Sequence, residues 1–402
     1  MVSNFEKNLP RSGENIANIT LGAFERFNYG DLLFPIILEY VYYSAARGKG
    51  SLLPLVHCTV GVGDMSAHGG VETRRVQHYL RNHECNVIVA GGEVIGAGWY
   101  GLWASLQPTR WDGVLRLGKK LLSRRIRDAL ARYALGGFWR YPFLPDVSTV
   151  RHLSFNAVGA THSRVLSADV QQYLWSIVSR GRATSLRDRA SAELASSFGL
   201  EVNVVPDSAA LLFDIPRFAA QRALAPVGGG SASGPVVVQM SLNWALSCSD
   251  ATLASLDEIG RRSGGLTLLA VGLAGAHSDQ IGLQQIGARL NCMSTLFVPI
   301  TIDDIVSCIA GASVVIASSL HVNITAVAAG VPQIPLAGVA KLSAYMSTWG
   351  FDSESPVDGD DLLKAYEVLE TQPATDKRVA RAGRLSMLVR ESIEKTVSDT
   401  YF

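Results

Sequence analysis

Cysteine is scarce and scattered in this 402-residue chain. Its five residues, Cys58, Cys85, Cys248, Cys292 and Cys308, form no CxxC pair and no cluster with histidine. That spacing argues against a disulfide framework and against a zinc site, and fits a reducing compartment. Charge is sparse as well. Only 18% of residues are charged and the formal net charge is +1, so no global field marks a nucleic-acid partner. Long apolar runs are missing too. Residues 305–340 carry no acid, lysine or arginine, but Ser, Asn, Gly, Pro and His interrupt them every few positions. No run of about 20 apolar residues survives to span a membrane. The opening stretch MVSNFEKNLPRSGENIANI has no apolar h-region, so no signal peptide is expected. There is no GxGxxG followed by a ribose-binding acid, and no GxxxxGK[ST].

What is present is apolar and periodic. With 48% hydrophobic residues, a chain this long suits two domains of roughly 150–200 residues each. In the second half, VVVQMS (236–241), LTLLAVG (266–272), TLFVP (295–299), VVIAS (314–318) and QIPLA (333–337) read as buried strands. Helical segments are expected around 250–262, 280–290, 303–310, 321–329 and 341–348. Short continuous apolar strands separated by helices mark a parallel sheet covered on both faces. The first half repeats the pattern at 19–24, 52–60, 86–92, 152–159, 183–188 and 202–207. A helix over 30–46 there should hold Pro35 in its first turn. The predicted fold class is therefore α/β, with two Rossmann-like doubly wound parallel sheets facing a cleft, a layout like that of GT-B enzymes. The predicted boundaries are 1–224, a Gly/Ser-rich linker or loop at 225–235 (APVGGGSASGP), a second domain over 236–372 and a terminal amphipathic helix over 373–402.

Ligands of open α/β sheets bind beyond the carboxyl ends of the strands, so chemistry is sought at the strand exits. After 314–318 comes Ser318-Ser319-Leu320-His321 at a helix start, where either serine could cap and the free N–H groups favour an anion. His321 is the only histidine at a strand–helix junction of the second sheet. After 183–187 comes Arg187-Asp188, a guanidinium aimed at the cleft with a capping acid behind it. After 19–24 comes Asn28-Tyr29-Gly30-Asp31, and after 86–90 comes Gly91-Gly92-Glu93. Each has a bland explanation in caps, tight turns and structural ion pairs.

The order NYGD, GGE, SLRD, SSLH, GVP and a final lysine resembles the polysaccharide pyruvyl transferase family over most of the chain. The most telling stretches are TSLRDRASAELASSFGLEVNVVPDSAALL and VVIASSLHVNITAVAAGVPQIPLAGVAKLSAYMSTWGF, whose lysine is Lys341. Departures are visible: Ser319-Leu320-His321 stands where many members carry Arg-Leu-His, Pro206-Asp207-Ser208 where they carry Asp-Pro, and Val322 where glycine is common. The resemblance implies a transfer of pyruvate from phosphoenolpyruvate onto two hydroxyls of one sugar, as a ketal with release of phosphate. The acceptor would be a cell-envelope polysaccharide, an exopolysaccharide or a lipid-linked saccharide. It implies no metal or redox cofactor. It assigns His321 and Arg187 to catalysis, Ser318, Ser319, Lys341 and Arg187 to the donor, and Asn28, Asp31 and His162 to the acceptor. The alternatives are a glycosyltransferase of the same layout using a nucleotide sugar, and a non-catalytic carbohydrate-binding relative. Residues 259–353 lack glutamate entirely, which counts against glycosyltransferases that hold the donor ribose with one.

Residues 110–140 hold nine Lys/Arg against two Asp, and Leu122, Ile126, Leu130 and Tyr133 share one helical face before Phe138 and Trp139. An amphipathic basic helix of this kind fits an anionic membrane surface, or else packs on the sheet with a solvated face. The expected location is cytoplasmic, with contact to the inner face of the membrane through this segment.

Overall fold

The computed structural model describes residues 16–47, 53–107, 111–224, 234–272, 278–351, 354–371 and 375–402. The expected linker at 225–235 lies outside them save for its last two residues. The buried apolar runs form two all-parallel sheets. The first contains β1 (Ile16–Leu21), β2 (Leu55–Thr59), β3 (Arg74–Arg75), β4 (Glu84–Val89), β5 (Val150–Val158), β6 (Thr184–Leu186) and β7 (Asn203–Val204), in the order β3-β2-β1-β4-β5-β6-β7. The second contains β8 (Val236–Gln239), β9 (Leu266–Leu269), β10 (Ser294–Phe297), β11 (Val314–Ala317) and β12 (Gln333–Pro335), in the order β10-β9-β8-β11-β12. In each sheet the winding reverses beside the first strand, between β1 and β4 and between β8 and β11. These reversals open the crevices in which such sheets hold ligands. The NYGD, GGE and SSLH segments follow β1, β4 and β11, so all three lie at a reversal.

Two helices differ from expectation. The helix Tyr29–Ala45 begins at Tyr29, so Pro35 falls in its second turn rather than its first, where it withholds an N–H from the Asp31 carbonyl. The basic segment is not one helix but two, Asp112–Leu121 and Arg124–Ala134. The break comes at Ser123, whose hydroxyl accepts from the Ile126 N–H. The two-residue β3 is too short to leave a pattern in the sequence.

The halves share one core. The helix Tyr29–Ala45 and the turns Ser208–Asp214 pack with the helices Ile302–Ala310 and Leu320–Ala329 and with the terminal helix Thr375–Tyr401. Leu320–Ala328 are all buried, which is why LHVNITAVAA shows no polar face. Within it the Thr325 hydroxyl meets the Tyr29 hydroxyl at 2.8 Å. The terminal helix leaves the second domain and covers the first sheet. Its Tyr401 hydroxyl donates to the Ile19 carbonyl at 2.7 Å, and its Thr400 hydroxyl to Ser154 Oγ at 2.7 Å. Near its start, Arg381 forks onto the buried Glu354 carboxylate.

At the exit of β1 the chain buries Glu25, and among the described residues neither of its carboxylate oxygens has a hydrogen-bond donor. Burial pushes its carboxyl up to about 7, against the pull of the neighbouring Arg26. A raised acid contributes stability that is present below its unfolded value and lost as pH rises through its folded value. Wild-type protein should therefore lose about 3 kcal/mol of unfolding free energy between pH 4.5 and about pH 7 from this group. Urea melts across that range should show the loss in wild type and not in Glu25→Gln; an identical pH slope in both would refute the assignment.

Candidate functional site

Arg187 leaves β6 into the interior rather than into open solvent, and is 1% exposed. Three carboxylates surround it. Its Nη2 donates to Glu93 Oε2 at 2.5 Å, Nη1 lies 3.5 Å from Asp207 Oδ2, and Nε lies 3.8 Å from Asp188 Oδ2. Burial alone would lower its pKa, but the carboxylates reverse this and raise it, so the guanidinium stays charged. Glu93 reaches Arg187 because Gly91 and Gly92 turn the chain sharply after β4, at φ values of 111° and 83° that side chains disfavour. The other Glu93 oxygen accepts from Thr161 Oγ1 at 2.9 Å and from the His162 N–H at 3.0 Å. Burial would raise the Glu93 carboxyl, but Arg187 and these donors hold it below its ordinary value. Asp188 caps the helix Arg189–Ser196 through the Ser191 N–H, and burial raises its carboxyl.

Asp207 joins this cluster to the second domain. Its Oδ1 accepts from the Ala209 N–H at 3.0 Å, capping the turns Ser208–Asp214. Its Oδ2 faces Arg187 on one side and His321 Nε2, 3.6 Å away, on the other. Burial works to raise the Asp207 carboxyl, yet His321 and Arg187 together keep it below the ordinary range. The spacings of 3.5–3.8 Å are too long for hydrogen bonds, and the two made by Arg187 are ionic contacts.

His321 is held from both domains. Its ring meets Phe34 edge-on with centroids 5.5 Å apart. It also lies directly over Gly30, where an added Cβ would come within 1.8 Å of Nδ1. That close approach is what the glycine of NYGD provides. Beside Gly30, the Asp31 carboxylate accepts from Asn28 Nδ2 at 2.7 Å and pairs with Arg26 at 3.5 Å. Asn28 also bridges to Gly272 of the second domain. Lys341, in the first turn of the helix Ala340–Trp349, has no ion pair or hydrogen bond among the described residues. Burial and the nearby Arg187 charge lower its pKa, while Asp31, Glu93 and Asp207 act in the opposite direction. The same helix docks on the β6 exit, with Trp349 Nε1 donating to the Arg187 carbonyl at 2.8 Å.

Several expected roles change. Arg187 is not free to fork onto a donor, because Glu93, Asp207 and Asp188 already occupy its guanidinium. The Ser318 hydroxyl accepts from the Ser241 N–H at 2.9 Å and so ties two strand exits together. Ser319 sits at the N-cap position, but its side chain does not cap the helix; its N–H donates to Gln239 Oε1 at 2.8 Å. Asn323 is a staple, its amide donating to the Ala317 and Ser319 carbonyls. The first-turn amides of Leu320, His321 and Val322 remain without helical acceptors. His162 is exposed at the rim, joined to the cluster through its backbone. Sequence reasoning passed over Glu93 and Asp207 as site residues. Each was visible as an acid at a strand exit, in GGE and in the departure Pro206-Asp207-Ser208. Among the described residues no group of three or more His, Cys, Asp or Glu is spaced to hold a metal ion.

Comparison with known proteins bears on the fold and on the family. Solved structures with the same two-sheet layout include a UDP-N-acetylglucosamine 2-epimerase from Rickettsia bellii, 11% identical, with a TM-score of 0.50 over 96% of this chain and 97% of that one. The UDP-GlcNAc 2-epimerase of Methanocaldococcus jannaschii is 12% identical, with a TM-score of 0.48 over 89% of this chain and 93% of that one. An Anabaena protein solved with UDP and glucose is 12% identical, with a TM-score of 0.42 over 96% and 95%. At such identities the likeness concerns the fold alone. No curated protein matches the sequence. The model of the family described as polysaccharide pyruvyl transferase matches residues 16–338, which takes in every strand of both sheets and the whole Arg187–Asp207–His321 cluster, and the chain belongs to that family.

Proposed function

We propose that this transferase moves the pyruvyl group of phosphoenolpyruvate onto two hydroxyls of a saccharide, forming a ketal and releasing phosphate. The observation that carries this reading is the His321–Asp207 pair, placed next to an unpartnered lysine and the open amides of a helix start. The donor brings a carboxylate and a phosphate, which call for a mobile cation and N–H donors. Lys341 and the amides of Leu320, His321 and Val322 supply them. Arg187 serves from behind, fixing Asp207 and Glu93 at the reacting face.

In the chemistry, a proton from His321 goes to the methylene carbon, and the central carbon becomes electrophilic. The first sugar hydroxyl attacks it and gives up a proton. The bond from that carbon to the phosphate oxygen breaks, the second hydroxyl closes the ketal, and its proton is also lost. Of the two protons released, one replaces that delivered to the methylene and the other leaves with phosphate. Asp207 holds His321 Nε2 toward one face and stabilises the imidazolium before transfer. Asn28, Asp31 and the exposed His162 line the first-domain wall, where the saccharide would lie, a lipid-linked one included.

The nucleotide-sugar alternative loses further ground. Glu354, the first glutamate after the gap, is buried and committed to Arg381, and is thus unavailable to a ribose.

Phosphoenolpyruvate should raise the melting temperature of the wild type, since it binds the native state. The rise should disappear in Lys341→Ala, whose own melting temperature should stay close to wild type. A rise with nucleotide sugars and none with phosphoenolpyruvate would transfer the chain to the glycosyltransferase reading. His321→Gln should keep the phosphoenolpyruvate shift but slow acceptor-dependent phosphate release by about 10²–10⁴-fold. Gly30→Ala should lower turnover in the same assay by pushing the imidazole out of place, again with the binding shift retained. Unchanged phosphate release in both variants would remove His321 from the chemistry.

A further inference from the structure

The helix pair Asp112–Leu121 and Arg124–Ala134 forms an insertion between β4 and β5, outside the reaction cluster. Its inner side is packed. Ala131 and Leu135 are buried in the first-domain core, Asp128 Oδ1 accepts from the Tyr100 N–H at 2.8 Å, and Arg127 lies over the Tyr100 ring. Among the described residues nothing covers its outer side. Ile126, Leu130 and Tyr133 fall within about 60° of arc on the second helix and are 50%, 58% and 87% exposed. Leu121, at the break between the helices, is 73% exposed. Trp139, by contrast, is core: it is 2% exposed and packs against Trp99. Exposed aliphatic groups in a row on one ridge are costly in water and call for a covering partner.

The charge around the ridge identifies that partner. Residues 112–134 carry seven Lys/Arg against two Asp. One of those acids, Asp128, is turned inward onto Tyr100 and Arg124. Lys119, Lys120 and Arg125 are exposed, and none of them is within ion-pair distance of an acid among the described residues. A narrow convex apolar ridge flanked by cations matches the headgroup boundary of an anionic bilayer, where the aliphatic side chains enter and the cations meet phosphate.

We infer that this helix pair is a docking surface for anionic phospholipid, laying the first domain on a membrane. The placement serves the site. The insertion leaves from the same strand exit that carries Glu93, and Glu93 stands six positions before the start of the helix Trp99–Ser105 against which the second of the pair packs. Six residues span at most about 20 Å, so the acceptor wall lies within reach of that surface.

The test is co-sedimentation of the full chain with vesicles of phosphatidylcholine alone and of equal parts phosphatidylcholine and phosphatidylglycerol. Binding should require phosphatidylglycerol and fall with added salt. Lys119→Glu with Lys120→Glu should lower the partition coefficient at least about tenfold. The triple variant Ile126→Ser, Leu130→Ser, Tyr133→Ser should abolish binding. These side chains are exposed, and an unaltered melting temperature for each variant will show that its fold is intact. Failure to bind either vesicle would overturn the inference. So would equal binding to both, or anionic binding that the variants leave untouched. A wild-type dimer in solution that the triple variant dissociates, without lipid binding, would instead assign the ridge to a second copy of the chain. None of these readouts depends on which donor the site uses.

Discussion

One buried carboxylate holds the site together. Asp207 stands between a guanidinium supplied by β6 and an imidazole supplied by the helix after β11, and so it couples the two domains electrostatically. In a low-dielectric interior, removing one member of such an arrangement leaves a charge with nothing to answer it, a loss of about 3–5 kcal/mol. The rest follows from keeping that carboxylate ionised. Arg187 must be present, Arg187 needs Glu93 to balance it, and Glu93 needs the two glycines that turn it back beneath the β5 exit. His321 in turn needs a backbone with no side chain at position 30. Residues that read as separate motifs are thus one electrostatic unit.

The parallel strands were legible because continuous apolar runs of about five residues have few other uses in a chain of this length. His321 and Gly30 were legible as residues placed at strand exits. What lay hidden was pairing. Glu93 and Arg187 are 94 positions apart, and nothing local to either announces the other. Arg187 was placed correctly at a strand exit, but position does not reveal that three acids would close around it. The serines before His321 concealed their partners for a related reason. Ser, N–H and helix start together suggest an anion site, whereas Gln239 and Ser241 had already claimed Ser318 and the Ser319 N–H. A partner contributed by a distant strand can convert a binding motif into a structural one.

The departure at Ser319 takes on a different meaning in this setting. Where many family members carry an arginine before Leu-His, this chain has a small hydroxyl and leaves Lys341 as the unpaired cation nearby. A lysine is a compact charge on a flexible stem and makes no planar fork. Donor binding here would rest on one movable charge and on backbone amides, with less geometric constraint on the phosphate than a guanidinium imposes.

The return of the terminal helix to the first sheet bears on how the protein is made. β1 is among the first of the described segments to leave the ribosome, yet Tyr401, whose hydroxyl meets the Ile19 carbonyl, lies more than 380 residues later. A domain synthesised first ordinarily folds first. Here the helix Tyr29–Ala45 shields part of that side of the sheet early, and the part over β4 and β5 waits for the terminal helix to be made. What the nascent sheet leaves open on that side is largely polar: Ser154 meets Thr400, and Asn86 and Asn18 continue the same row, while Ile19, Val87 and Leu153 belong to a core that contains no residue of the terminal helix and can close without it.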